Sequence, residues 1–258
     1  MDAVEKVYRF YESSRCEKFV YGKSARGLPL VGFFIGRREY PVMLFQYAIH
    51  AREWITALLA LEHIERGLPR GGAYILPLTN PDGAALSLRK EGFALWKANA
   101  DGTDLNVNFP ALWGTGKANV FSPAPENYVG RAPLSEPESR ALACFTRAVS
   151  PDATVSYHTK GGEIYWEFGQ TGGALLRDEK LAAALADETG YTAKTISGSA
   201  GGYKDWCIRA LHIPAFTIEA GSDALSHPLG EACLPDILRE NIGVPERLAA
   251  ELDEWKIK

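Results

Sequence analysis

Residues 41–67 read PVMLFQYAIHAREWITALLALEHIERG. The first nine are a continuous apolar run of strand length, the pattern of a strand buried on both faces. From Glu53 onward the apolar positions recur at helical spacing, and Gly67 supplies the stop. Strand followed by helix is the repeating unit of a parallel α/β fold. The junction reads His50-Ala51-Arg52-Glu53, and a soluble fold has little structural reason to place an imidazole and a carboxylate three residues apart there. If the first helical turn begins at His50, the two side chains share one face.

The rest of the chain continues the pattern. Residues 1–20 read as an amphipathic helix, and KFVYGKSARGLPLVGFFIG (18–36) reads as two strands joined by a Gly-containing turn, a hairpin at a sheet edge. GGAYILPLTNPDG (71–83) repeats the buried strand ending in turn residues. SEPESRALACFTRAV (135–149) reads as a helix opened by a capping box of Ser135 and Glu138. DATVSYH (152–158) and IPAFTIEAG (213–221) supply two more strands, each with a polar residue, His158 or Glu219, where the apolar run stops. This alternation implies a mostly parallel sheet covered on both faces. Ligands of open α/β sheets gather beyond the carboxyl ends of the strands, so His50, His158 and Glu219 are expected to converge. Residues 110–137 form the one long irregular stretch, and loops of that length are more often functional than idle.

Composition narrows the function. A chain of 258 residues, 46% hydrophobic and 23% charged, fits one globular α/β domain over residues 1–258. Its 28 Lys and Arg against 32 Asp and Glu, a net charge of -4, give no basic footprint for nucleic acid or an anionic membrane, and a peptide-sized ligand is the better expectation. Without an export signal or an apolar run of membrane-spanning length, a cytoplasmic location is expected. Cys16, Cys144, Cys207 and Cys233 are scattered without metal or redox spacing and receive no function.

His50 and Glu53 offer one nitrogen and one oxygen ligand, and His158 is the best third. Catalytic zinc sites of two histidines and one glutamate leave the fourth position for water, so one Zn2+ per chain is expected. Glu219 delivers a carboxylate to the same edge, where it can take a proton from water and return it to a leaving amine.

IHAREW (49–54), NPDG (80–83), DLNVNF (104–109), SYHTKG (156–161), GGYKDW (201–206) and FTIEAG (216–221), in this order and spacing, together resemble the zinc carboxypeptidase A-like family. The resemblance implies a three-layer α/β/α sandwich around a mixed, roughly eight-stranded sheet. It also implies zinc held by His50, Glu53 and His158, Glu219 as general base and acid, and Asp104 behind His50, in keeping with the rule that ligating imidazoles give their other N–H to a carboxylate.

The chain departs from the digestive members of that family. Where they carry Asn-Arg-Asn it has Asn106-Val107-Asn108, and valine cannot clamp a C-terminal carboxylate. A second family arginine falls in WKANADGTDLN, which has none, leaving Asn99 or Lys97 to substitute. The family's closing tyrosine aligns with Ser197, and the floor of its specificity pocket aligns with Lys204. Lys204 is either a solvated surface lysine or a cation for a carboxylate-bearing leaving group. With WKAN followed closely by DLN, the pattern is similar to bacterial members that cut between γ-D-glutamate and meso-diaminopimelate, the murein peptide amidases among them. The resemblance implies a cell-wall peptide substrate contacted by Asn106, Lys204 and Asn99, with Asp205 as a further pocket candidate, and without a wall-binding repeat or export signal soluble muropeptides are expected over intact wall. Two other readings stand: a carboxypeptidase for ordinary peptides with acidic C-terminal residues, and a non-catalytic, zinc-bearing protein that binds muropeptides.

Overall fold

The structure is a computed structural model describing residues 1–256. Its elements are α1 (Ala3–Ser13), β1 (Glu17–Lys23), β2 (Pro29–Gly36), β3 (Val42–Tyr47), α2 (Ile55–Arg66), β4 (Gly72–Leu76), α3 (Pro81–Arg89), α4 (Pro137–Val149), β5 (Ala153–His158), β6 (Glu163–Tyr165), α5 (Gly172–Thr189), β7 (Thr192–Lys194), α6 (Tyr203–Trp206), β8 (Ala215–Glu219), α7 (Leu234–Asn241) and α8 (Val244–Lys256). The eight strands form one sheet in the order β1-β2-β4-β3-β5-β8-β6-β7. Its centre, β4-β3-β5-β8, is parallel, whereas β1-β2, β2-β4 and β8-β6 pair antiparallel. The expected edge hairpin is β1-β2, and the mixed eight-stranded sheet matches the expected architecture.

Strand alternation sends successive side chains to opposite layers. Met43, Phe45 and Tyr47 of β3 pack with α1, α2, α5 and α8, while Leu44 packs with α4, α6 and the segment around Leu105 and Phe109. Both faces are therefore covered, which explains why the central strands read as unbroken apolar runs. Each fully buried Phe or Leu in these layers contributes about 1.5–3 kcal/mol, so the sheet is a rigid platform for whatever its edge carries.

Two local expectations are corrected. The helical pattern after β3 does not begin at His50: a single 3-10 turn, Ala51–Glu53, comes first, with His50 in extended conformation at its cap. The Ser135/Glu138 capping box does not form. Pro137 opens α4 behind Glu136, Ser135 bonds to the Glu136 carboxylate at 2.7 Å, and Glu138 accepts the Ala25 N–H at 2.7 Å instead. Glu138 ties the hairpin to α4 and is not free to cap. Residues 110–136 contain no helix or regular strand; Asn108 pins this loop, its Nδ2 reaching the carbonyls of Val129 and Ala132 at 2.8 and 3.0 Å. Among the described residues no helix is long and apolar enough to cross a membrane, and all four cysteines are free.

Candidate metal centre and substrate cleft

The parallel centre of the sheet carries its strand ends to one edge. β3 stops three residues short of His50, β5 ends at His158 and β8 ends at Glu219, with His158 and Glu219 in register across the β5-β8 pair. The 3-10 turn after His50 then brings Glu53 back beneath it.

His50 Nδ1 and His158 Nδ1 face each other at 3.0 Å, and the two oxygens of Glu53 lie 2.9 Å from one and the other nitrogen. All three side chains are buried, and they are the one group of His, Cys, Asp and Glu among the described residues that is close enough to hold a metal ion. The two imidazole nitrogens and the carboxylate converge on one point, and such an N,N,O set matches the ligand preference of zinc. The donors therefore fit the metal. Behind His50, Asp104 Oδ1 lies 3.2 Å from Nε2, and Lys97 Nζ lies 3.1 Å from Asp104 Oδ2. Burial alone would raise the Asp104 carboxyl, but the Lys97 ammonium and His50 outweigh it and hold it far below the usual carboxylate range. Asp104 is thus a fixed anion at the imidazole.

Glu219 borders the cleft. Its backbone carbonyl accepts the Gly162 N–H at 2.9 Å, and the next residue donates to the His158 carbonyl at 2.9 Å, so the strand end is held on both sides. Burial pushes its carboxyl up to about 7; His158 and Lys97 pull against that rise, and Glu53 and Glu163 add to it. A carboxyl near neutrality beside a metal-binding set is suited to taking up and releasing a proton.

The cleft has two lobes meeting at His50, Lys97, Asn106 and Ser199. The larger, about 190 Å³, runs past Glu219, Thr217 and Tyr165 to Lys204 and Asp205. The smaller, about 140 Å³, passes Val107 toward Asn119 and Asn127. Gly201 docks one wall: it has φ +84°, and a Cβ there would come within 2.9 Å of the Val107 carbonyl.

Lys204 is not a solvated lysine. Its ammonium is buried, 2.7 Å from Asp205 Oδ1 and 3.0 Å from the Glu167 carbonyl, with the Phe168 ring beneath it. Asn106 lines both lobes, its Oδ1 accepting the Tyr203 N–H at 3.0 Å. Asn99 does not reach the cleft. It is fully buried, its Nδ2 donating to Glu136 at 2.8 Å and its Oδ1 accepting from Asp101 and Thr103, and Lys97 is the residue of that segment that faces the cleft. Tyr165 was not anticipated. It stands on β6, with its hydroxyl on the Glu163 carboxylate, which Lys194 also holds. A three-residue strand offers no periodicity to mark it, and the one available signal was its position shortly after the His158 strand.

Comparisons with known proteins show the family. Residues 3–228 match the zinc carboxypeptidase family. A γ-D-glutamyl-L-diamino acid endopeptidase of Lysinibacillus sphaericus is 31% identical over 86% of this chain; the match spans 64% of that protein's length. Among solved structures, bovine thrombin-activatable fibrinolysis inhibitor superposes with a TM-score of 0.80 at 24% identity, covering 97% of this chain and 94% of that one. The murein-tripeptide amidase MpaA of Escherichia coli O157 superposes with a TM-score of 0.62 at 25% identity, covering 92% and 91%. With buried His50, Glu53 and His158 at the carboxyl edge of the sheet, the chain belongs to the zinc carboxypeptidase family.

Proposed function

We propose that the protein is a zinc-dependent peptidase that hydrolyses the bond between γ-D-glutamate and diaminopimelate in cell-wall peptides. His50, Glu53 and His158 would hold the metal, which when bound supplies Lewis-acid activation of water and of the scissile carbonyl. Glu219 accepts the proton of the attacking water on a carboxylate oxygen and returns it to the leaving nitrogen. Lys97, charged and anchored on Asp104, places a cation where negative charge develops on the carbonyl oxygen. Asn106, where the lobes meet, orients the peptide with its amide.

The observation that carries the substrate assignment is the buried Lys204–Asp205 pair in the larger lobe. The far end of a diaminopimelate side chain bears one ammonium and one carboxylate, and a paired cation and anion match that zwitterion group for group. A singly acidic side chain would meet a lysine already neutralised by Asp205, and Val107 supplies no clamp for a terminal carboxylate; both disfavour a carboxypeptidase for acidic peptides. The names of the similar endopeptidase and amidase support the same reading. Glu219, poised near neutrality beside the metal set, supports catalysis over mere binding.

The test compares hydrolysis of L-Ala-γ-D-Glu-meso-diaminopimelate with that of an α-linked peptide ending in glutamate. We expect zinc-dependent cleavage of the first at a kcat/KM at least ten-fold above the second, about 1.4 kcal/mol in transition-state binding. Preference for the α-linked acidic peptide refutes the assignment.

A further inference from the structure

Gln46 is fully buried in β3, where the other five residues are Val, Met, Leu, Phe and Tyr. An amide in such surroundings is costly unless its donor and acceptor ends are both used. One end meets Thr79, whose Oγ1 donates to Oε1 at 3.1 Å. The other meets Ser156, the register partner of Gln46 on β5, through Nε2 and Oγ. Ser156 Oγ lies in turn 3.0 Å from Nε2 of His158. Thr79, Gln46, Ser156 and His158 are all buried, so this is a closed polar chain running from the sheet interior to a metal-binding imidazole.

We propose that Gln46 is a positioning residue for His158, supplying through Ser156 the hydrogen-bond partner that lets the ring proton stay on Nε2 when zinc takes Nδ1; the inference rests on zinc binding at the His50–Glu53–His158 set. A ligand nitrogen must offer a lone pair. If His158 Nδ1 does so, its proton sits on Nε2 and must be donated to Ser156 Oγ. The Ser156 hydroxyl hydrogen then needs its own acceptor, and Gln46 is the group in reach. With the amide turned over, Oε1 takes the Ser156 hydrogen and Nε2 donates to Thr79 Oγ1, so every group stays bonded. With Nε2 toward Ser156, the serine hydrogen points at His158 and the ring proton moves to Nδ1, on the Glu53 side. An amide, with one donor and one acceptor end, satisfies both orders; an apolar side chain satisfies neither. Carboxylate support behind His50 and a neutral, reversible chain behind His158 make the two imidazoles unequal ligands.

The experiment measures zinc affinity by competition with a chromophoric chelator, and the ring protonation of His158 by long-range ¹⁵N–¹H spectra of the zinc-loaded protein. The chain has five histidines, and the His158 ring is assigned through its backbone connectivities. Gln46→Leu should weaken zinc binding ten-fold or more, the usual range for losing support behind a ligand. Gln46→Glu should bind within about three-fold of wild type, because a carboxylate accepts from both Ser156 and Thr79 and keeps the proton on Nε2. Wild-type affinity in Gln46→Leu overturns the proposal, as does equal weakening in the Leu and Glu variants, which marks a packing role. Should Gln46→Leu fail to fold, Thr79→Val removes the far partner alone and should still weaken zinc measurably; no change there also overturns it. Failure of the wild-type protein to bind zinc would defeat the metal assignment itself and is read separately.

Discussion

Lys204→Met separates the structural work of the Lys204–Asp205 pair from its recognition of substrate. The two side chains are only 6% and 5% exposed, which places the pair in the buried regime, where removing one partner strands the other. Such breaks cost about 3–5 kcal/mol. Asp205 keeps one bond, accepting the Gly202 N–H at 3.1 Å, so the lower end applies, about 3 kcal/mol. For a chain of this size that corresponds to a fall in Tm of roughly 6–12 °C. Recognition is a second loss: a charge-assisted contact to the side-chain carboxylate of diaminopimelate, about 1.5–3 kcal/mol, lowers kcat/KM ten-fold or more. The double variant Lys204→Met/Asp205→Asn removes the stranded anion and should recover much of the Tm without recovering selectivity. Thermal unfolding followed by circular dichroism reads the first effect. The second is read as the ratio of kcat/KM for the diaminopimelate peptide to that for the same peptide ending in norleucine. If both variants keep the wild-type ratio, the pair is structural and the ionic lobe does not read the substrate.

Glu219→Gln preserves shape while removing the base; kcat should fall at least a hundred-fold with zinc content unchanged by metal analysis, and near wild-type turnover would assign proton transfer elsewhere. His63 provides a pH test remote from the metal. It is buried in α2 between the Tyr47 hydroxyl at 2.6 Å and the Asn241 carbonyl at 3.0 Å, and burial holds its pKa down at about 4, against 6.5 for the free side chain. The unfolded chain therefore binds more protons between these values, so the stabilisation is complete above pH 6.5 and lost as pH falls toward 4. At most about 3 kcal/mol is at stake. Urea midpoints of wild type and His63→Gln should converge as pH drops from 7 to 4.5, and parallel curves would contradict this.

The convergence of the candidate metal set was legible because strand periodicity locates strand ends, and in a parallel sheet those ends share one edge. His50, His158 and Glu219 each follow an apolar run, and Glu53 follows at one turn's spacing. The substrate side was less legible because it is built from loops, where direction changes within a few residues. Asn99 and Lys97 are two positions apart, yet one closes an internal knot with Glu136 while the other faces the cleft. Nothing in a linear pattern separates them. The burial of Lys204 depends on a carbonyl 37 residues away in sequence and on an adjacent aspartate that could equally have pointed to solvent. The failed capping box has a similar origin: Glu138 has the right spacing from Ser135, but Ala25, 113 residues distant, claims its carboxylate. Strands β6 and β7, three residues each, are too short to show a period of two. Their presence was carried by the family resemblance alone.

The register between β5 and β8 has a further consequence for how the protein acquires its metal. His158 and Glu219 are cross-strand partners in a hydrogen-bonded ladder, and β3, which leads to His50, pairs with the other side of β5. The ladder spacing, set by backbone bonds at about 4.8 Å between strands, determines how far apart these residues sit. In small zinc modules the ion must first gather its ligands, so that binding energy is folding energy. Here backbone pairing and two apolar layers hold the strand ends that carry them. A metal ion taken up at this edge would reach it through the cleft, with no need to unravel the sheet.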